Sequence, residues 1–220
     1  MKKTLTVPPS SHYKYCLILL SFFFVFIFTA CENHWIKEIT SHMFEEPKKG
    51  VTHAVGDIGP GGGIVFYVDP DGFIMLDTGE RLYHLEVTLE VLNYSWIIGV
   101  ASDWYYNYIP TKSGIGTGRY NTNLILSYEP NYAPAAERCK DFSGGGLADW
   151  FLPSIAELEK LDEIYTDWFD IIGDGWVWSS ENCDISGLEA EANMYRFHTT
   201  PFTMPTNKST PLSIHPIRAF

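Results

Sequence analysis

The run Leu17–Phe28 (LILLSFFFVFIF) constrains this chain more than any other feature, because it withdraws the first thirty residues from the fold. Twelve residues, broken only by Ser21, are too few to span a bilayer; about 20 apolar residues in helical form are needed to cross ~30 Å of hydrocarbon. Lys2, Lys3 and Lys14 come before or at the edge of the run with no acid among them, and the small residues Thr29 and Ala30 come after it. A basic start, a short apolar stretch and a small-residue exit make up a secretory leader, cleaved on export. The residues beyond Ala30 alone then have to build a core.

The next residue is Cys31, and Phe28-Thr29-Ala30-Cys31 resembles a bacterial lipobox, in which the thiol receives a diacylglyceryl group before cleavage. The departure is Phe28, where Leu is usual. One acyl chain holds a membrane marginally, at ~0.8 kcal/mol per buried CH₂, whereas two or three hold it stably. The resemblance implies lipidation at Cys31 and attachment to the cell membrane or outer membrane, facing the periplasm or the cell surface. An ordinary cleaved signal or a short uncleaved anchor are the alternatives. Residues 31–53 are polar, with Pro47 and mixed charges, and read as a tether.

Without residues 1–30 the chain keeps 12 basic and 27 acidic side chains, a net charge of −15, since Lys2, Lys3 and Lys14 are the only charges removed. Phosphate binding needs basic patches, so nucleic acid is excluded as a partner. The full chain is 45% hydrophobic and 15% aromatic, enough to bury a core. Residues 54–220 suit one globular domain.

Local patterns give that domain its class. Ile64–Val68 is a β-branched and aromatic strand, Asp69-Pro70-Asp71-Gly72 has turn chemistry, and Phe73–Leu76 returns, which predicts a hairpin. Tyr83–Val87 is a further strand. Pro134–Phe142 reads as a helix closed by Gly144-Gly145-Gly146. Ser154 with Glu157 is a capping box opening a second helix, on which Ile155, Leu158, Leu161, Ile164 and Tyr165 recur at helical spacing. Short strands return at 176–180, 194–197 and 214–220. Strands, then two helices, then strands predict an α+β domain with antiparallel sheet.

Five blocks then resemble one bacterial family in family order. They are Gly56–Tyr67, Gly114–Gly118 with Asn121-Thr122, Asp149–Ser154 with Glu157-Leu158, Trp178–Glu181, and Ile217–Phe220. The family is that of the C-terminal domain of a collagen-like adhesin, the Lcl C-terminal domain. The resemblance implies a C-type-lectin-like fold, related also to formylglycine-generating enzymes, with short antiparallel strands and two main helices. It further implies surface display, with adhesion or glycan binding in some members. The Trp-Ser-Ser-Glu block is one Ser short, His215 stands where Arg is frequent, and residues 184–213 match poorly, which makes them a candidate specificity region.

Signatures of catalysis or metal binding are sparse. The seven His residues form no H-E-x-x-H, and the chain has no C-x-x-C pair, G-x-S-x-G elbow or P-loop. No catalytic residue, metal site or cofactor is expected. Asp69 and Asp71 lack the later ligands of a calcium loop. Glu129-Pro130-Asn131 matches a calcium-lectin triplet in letters, without the Trp-Asn-Asp that accompanies it. The aromatic run with Trp104, Tyr105, Tyr106 and Tyr108 is the candidate ligand surface, because aromatic faces stack on sugar rings; core packing is the competing explanation. Cys139 and Cys183 remain once Cys16 is cleaved off and Cys31 lipidated, and an oxidising compartment favours a disulfide between them. Two buried free thiols are the alternative.

The expected function is a lipid-anchored extracytoplasmic binding module without catalysis, with the membrane, glycans, and host or envelope proteins as partners. An envelope-modifying enzyme on the same fold and a purely structural envelope lipoprotein are the rivals.

Overall fold

The apolar run at residue 64 does not turn back where its Asp-Pro-Asp-Gly suggests. It continues as one strand, β1 (Ile64–Ile74), paired antiparallel with β2 (Arg81–Val87). Between the pairs Val68↔His84 and Phe73↔Leu82, β1 carries residues 69–72 where β2 carries only Tyr83. The four residues form a bulge. Asp69 Oδ1 accepts from the N–H groups of Asp71 (2.9 Å) and Gly72 (3.2 Å), and Gly72 takes a φ of +73°. Arg81 Nη1 donates to the carbonyls of Asp71 and Gly72 from the facing strand. The turn chemistry is real, but it curls the strand locally instead of ending it, as bulges do. The hairpin closes later, where Met75 N donates to Glu80 O.

The structure is a computed structural model that describes residues 50–98, 108–164, 175–197 and 202–220. These lie in a compact unit running from Pro47 to Phe220. The N–H groups of Thr52 and His53 both reach His84 Nε2 at 3.3 Å, so residues assigned to the tether contact β2.

Two sheets carry the fold. The smaller has the order β1-β2-β8, with β8 at Ile217–Ala219. The larger has the order β3-β7-β4-β5-β6: β3 Leu92–Ser95, β4 Trp176–Asn182, β5 Glu191–Arg196, β6 Phe202–Asn207 and β7 Pro211–Ile214. All pairings are antiparallel except β4 with β7, which is parallel. The larger sheet is therefore mixed. The region 184–213 contributes β5 and β6 at its edge.

Three α-helices occur among the described residues: α1 Gly118–Tyr128, α2 Pro134–Asp141 and α3 Ile155–Asp162. The α+β class expected from the sequence is what the structure has. α2 and α3 fall where expected, and α3 carries the full capping box, with Ser154 Oγ accepting from Glu157 N and the Glu157 carboxylate accepting from Ser154 N. α1 is an addition to the two expected helices. Its buried face is Gly118, Asn121, Thr122 and Ile125, mostly polar, so it shows no apolar period.

Two apolar clusters fill the unit. One joins the smaller sheet to α3 through Phe66, Leu85, Phe151, Leu158, Leu161 and Ile217. The other packs α1 and α2 on the larger sheet through Ile125, Ala136, Cys139, Trp178 and Ile214. No helix among the described residues is long and apolar enough to cross a membrane.

Cys139 and Cys183 are both buried free thiols; the expected disulfide is not formed. Helical phase explains the first, since the Cys139 position on α2 points it into the second cluster beside Ala135 and Ala136. Burial pushes that thiol well above the ordinary range, which keeps it protonated and apolar in character. Cys183, the residue after β4, is fixed by its N–H bond to Glu191 O at the start of β5.

Candidate functional site

Three buried glutamates hold the sequence blocks together. Glu86, on β2, has no exposure and receives the Gly61 N–H (3.0 and 3.1 Å), the Gly63 N–H (3.2 Å) and Arg218 Nη1 (3.0 Å). Glu157 receives the N–H groups of Ser154 (2.8 Å), Gly116 (2.9 Å) and, more weakly, Gly118 (3.5 Å). Burial pushes the Glu157 carboxyl up to about 7, against the pull of those N–H donors. Glu181 caps the start of α3 by accepting from Ile155 N (2.9 Å) and takes the Ser113 hydroxyl at 2.8 Å. Burial raises its pKa as well, opposed by the same bonds. Each carboxylate ties backbone donors from one block to another, so these acids serve the fold from inside it.

The sequence-derived candidates are distributed unevenly. Cys31, Trp104, Tyr105 and Tyr106 lie outside the described residues. Tyr108 is described and 47% exposed. Tyr128, the last residue of α1, and Tyr132, in the turn after it, are exposed to a similar degree and were passed over in the sequence. Ile98 N donates to Tyr132 O at 2.8 Å, so this turn adjoins the strand-exit segment that precedes residue 99. The signal available in sequence was their spacing of four around Glu129-Pro130-Asn131, with Asn131 in a left-handed conformation at φ +69°.

The calcium-lectin likeness of that triplet ends at Glu129, which is buried. Burial raises its pKa, and the charge of Lys208 opposes the rise. Lys208 is itself fully buried, donates Nζ to Glu189 O at 2.7 Å and sits 5.2 Å from the Trp96 ring centroid. Burial pushes it down to about 8, with Glu129 pulling the other way. Glu129 therefore faces an internal cation. Among the described residues no group of three His, Cys, Asp or Glu side chains is placed to hold a metal.

A cleft of about 300 Å³ opens beside the first glycine block. It is lined by Gly61–Gly63, by Thr88, Leu89 and Glu90 after β2, and by Phe142, Gly144, Gly145 and Trp150. The glycines permit the close approach that makes it. A Cβ on Gly61 would stand 2.5 Å from Trp150 Cζ2, and one on Gly144 would stand 2.8 Å from the same atom. Phe142 meets Trp150 edge to face at 4.9 Å. Thr88 Oγ1 accepts from Glu90 N at 3.1 Å. Trp150 and Thr88 are buried in its floor, and Leu89 and Glu90 are exposed at its edge.

The fold is similar to that of a crystallised fimbrial protein from Bacteroides ovatus ATCC 8483, with 13% identity and a TM-score of 0.50. The likeness covers 72% of this chain and 44% of that protein, so the chain spans less than half of its length. At such identity the likeness concerns the fold. No family model and no curated protein sequence matches the chain.

Proposed function

We propose that this chain is a lipid-anchored extracytoplasmic binding module of adhesive type, holding glycans or host or envelope proteins at an aromatic face. The observation that carries the reading is the exposure of Tyr108, Tyr128 and Tyr132, each close to half in solvent, while Trp96, Trp150, Trp178 and Phe151 are buried. Exposed tyrosines offer apolar rings with a polar tip, the composition favoured at binding surfaces. The run Trp104-Tyr105-Tyr106 lies outside the described residues and precedes Tyr108 in the sequence.

The resemblance to the Lcl C-terminal domain, and with it a C-type-lectin-like reading of the α+β fold, belongs to this proposal. Its support is that the five blocks meet one another. Gly116 bonds Glu157, Ile155 bonds Glu181, Phe151 pairs with Ile217 in both directions, and Arg218 reaches Asp149 as well as Glu86. Blocks that build a shared scaffold would do this. The fimbrial likeness in fold agrees with surface display, and the leader with Cys31 supplies the anchor.

The test has two arms. Cys31→Ala should release the protein from membranes and abolish acyl mass on its N-terminal peptide. The full chain, screened against glycans and matrix proteins, should bind a ligand that Tyr128→Ala and Tyr132→Ala together weaken about tenfold, which is ~1.4 kcal/mol. An unmodified N-terminus in the wild type sinks the anchor, and ligand binding indifferent to both tyrosines sinks the face.

A further inference from the structure

The imidazole of His84, on β2, is buried, and both of its nitrogens meet backbone. Nε2 lies 3.3 Å from the N–H groups of both Thr52 and His53, and Nδ1 lies 3.3 Å from Phe220 O. A backbone N–H only donates, so Nε2 accepts from both and carries no proton. The proton of the neutral ring then sits on Nδ1, which donates it to Phe220 O. The same stretch of chain is seated by packing. A Cβ added at Gly50 would run into the Tyr83 ring, and the His53 ring meets those of His84 and Phe220 edge to face at 5.6 and 5.2 Å. Residues 50–53 thus form a strap against Tyr83, His84 and Phe220.

We propose that His84 is a pH-sensitive latch, holding residues 50–53 to β2 while neutral and releasing them when protonated. A proton on Nε2 turns the acceptor shared by two backbone N–H groups into a third donor facing them. The surroundings favour the neutral ring. Burial lowers the His84 pKa from its ordinary 6.5, the charge of His53 on the strap adds to this, and the backbone contacts with Phe220 and His53 oppose it. Glu86, two residues on along β2, is paired with Arg218 of β8, whose guanidinium lies 5.6 Å from the Phe220 ring centroid. Val68, opposite His84 on β1, is uncharged. Docking therefore excludes a proton, and each pH unit below the pKa of the released ring shifts the balance toward release by up to about tenfold. Freeing residues 50–53 lengthens the chain by up to ~14 Å, at ~3.3–3.6 Å per residue. If Cys31 carries the lipid, that length is added reach from the membrane, and this consequence alone rests on the anchored reading.

The full chain, extracted in detergent, is followed by nitrogen NMR of its histidine rings and by amide exchange from pH 7.5 to 4.5, corrected for intrinsic rates. At pH 7.5 the His84 proton is expected on Nδ1. On acidification the Thr52 and His53 amides should lose protection with the midpoint of the His84 ring, while the core amides of Phe151 and Ile217 keep theirs. His84→Gln, which offers an oxygen acceptor that does not titrate, should hold the strap at both ends of the range. His53→Phe, which keeps the ring contacts and the backbone N–H, should leave the pH response in place. A His84 proton on Nε2 at pH 7.5 overturns the proposal, as does strap protection unchanged down to pH 4.5 or lost only together with the core amides. A response that persists in His84→Gln, or vanishes in His53→Phe, overturns it too. Should His84→Gln fail to fold, the wild type decides alone: midpoints for the His84 ring and the strap amides that differ by more than error defeat the latch.

Discussion

His215 is fully enclosed, touches the Phe197 ring edge to face at 5.9 Å, and has no hydrogen-bond partner for either ring nitrogen among the described residues. Burial drives its pKa down to about 4 from an ordinary 6.5. A histidine depressed on folding contributes its stability in full above the unfolded value. That contribution is lost as pH falls from 6.5 toward 4, because the unfolded chain binds the proton first. At 1.36 kcal/mol per pKa unit the loss is roughly 3 kcal/mol. His215→Phe removes the titrating ring and keeps the aromatic volume. Denaturant midpoints between about pH 7 and pH 4 should therefore fall less steeply in the variant, and parallel curves would contradict the assignment. The sequence marks His215 only as a departure from a resembling pattern. Its enclosure depends on Phe197 and the surrounding strands, which no local signal announces.

Elements built from local chemistry could be read directly, and those built from distant partners could not. α3 begins at a capping box whose two members are three residues apart, and the structure has both of its bonds. Ser154 is buried, and its hydroxyl also donates to Gly114 O at 2.9 Å. Ser154→Ala should accordingly lower stability by about 1–2 kcal/mol, the upper part of the N-cap range. A change within error in denaturant unfolding would show that neither bond matters. α1 illustrates the opposite case. Asn121 Nδ2 bonds Lys112 O and Ser180 Oγ, and Thr122 Oγ1 accepts from Leu152 N, so its inward face is satisfied by residues up to 59 positions away. A polar face buried in this way looks like a loop to any pattern based on apolar spacing. The bulge in β1 misleads for a related reason, since its turn residues act locally while Arg81 of the facing strand keeps the strand going. The candidate site was legible to the same limited degree. Tyr108 stood out by composition, whereas the cleft depends on Gly61, Gly144 and Trp150 meeting from separate stretches of the chain.

At the scale of the molecule, the last residues close the structure onto its first sheet. β8 pairs with β2 through Leu85↔Ala219, Glu86↔Arg218 and Val87↔Ile217, and Ile217 exchanges both backbone bonds with Phe151. Phe220 stacks on His84 at 4.7 Å, while Arg218 lies between the carboxylates of Glu86 and Asp149. The two acids are unequal, because the Glu86 side chain has no exposure and that of Asp149 is 40% exposed. Solvent screens the Asp149 contact, so its loss matters little. Glu86 has no such relief: without Arg218 its charge is balanced only by the N–H dipoles of Gly61 and Gly63. Arg218→Met keeps much of the side-chain volume and removes the cation, leaving an uncompensated buried carboxylate. It should cost about 3–5 kcal/mol, the amount typical of a buried pair broken on one side. Adding Glu86→Gln to Arg218→Met should restore a large part of that loss, because the stranded charge is gone while the carboxamide oxygen still accepts from the glycine loop. Asp149→Asn alone should change stability by less than about 1 kcal/mol. Equilibrium unfolding of the wild type and these three variants decides the matter, and a double variant no more stable than Arg218→Met would show that Arg218 acts through packing and not through the charge of Glu86.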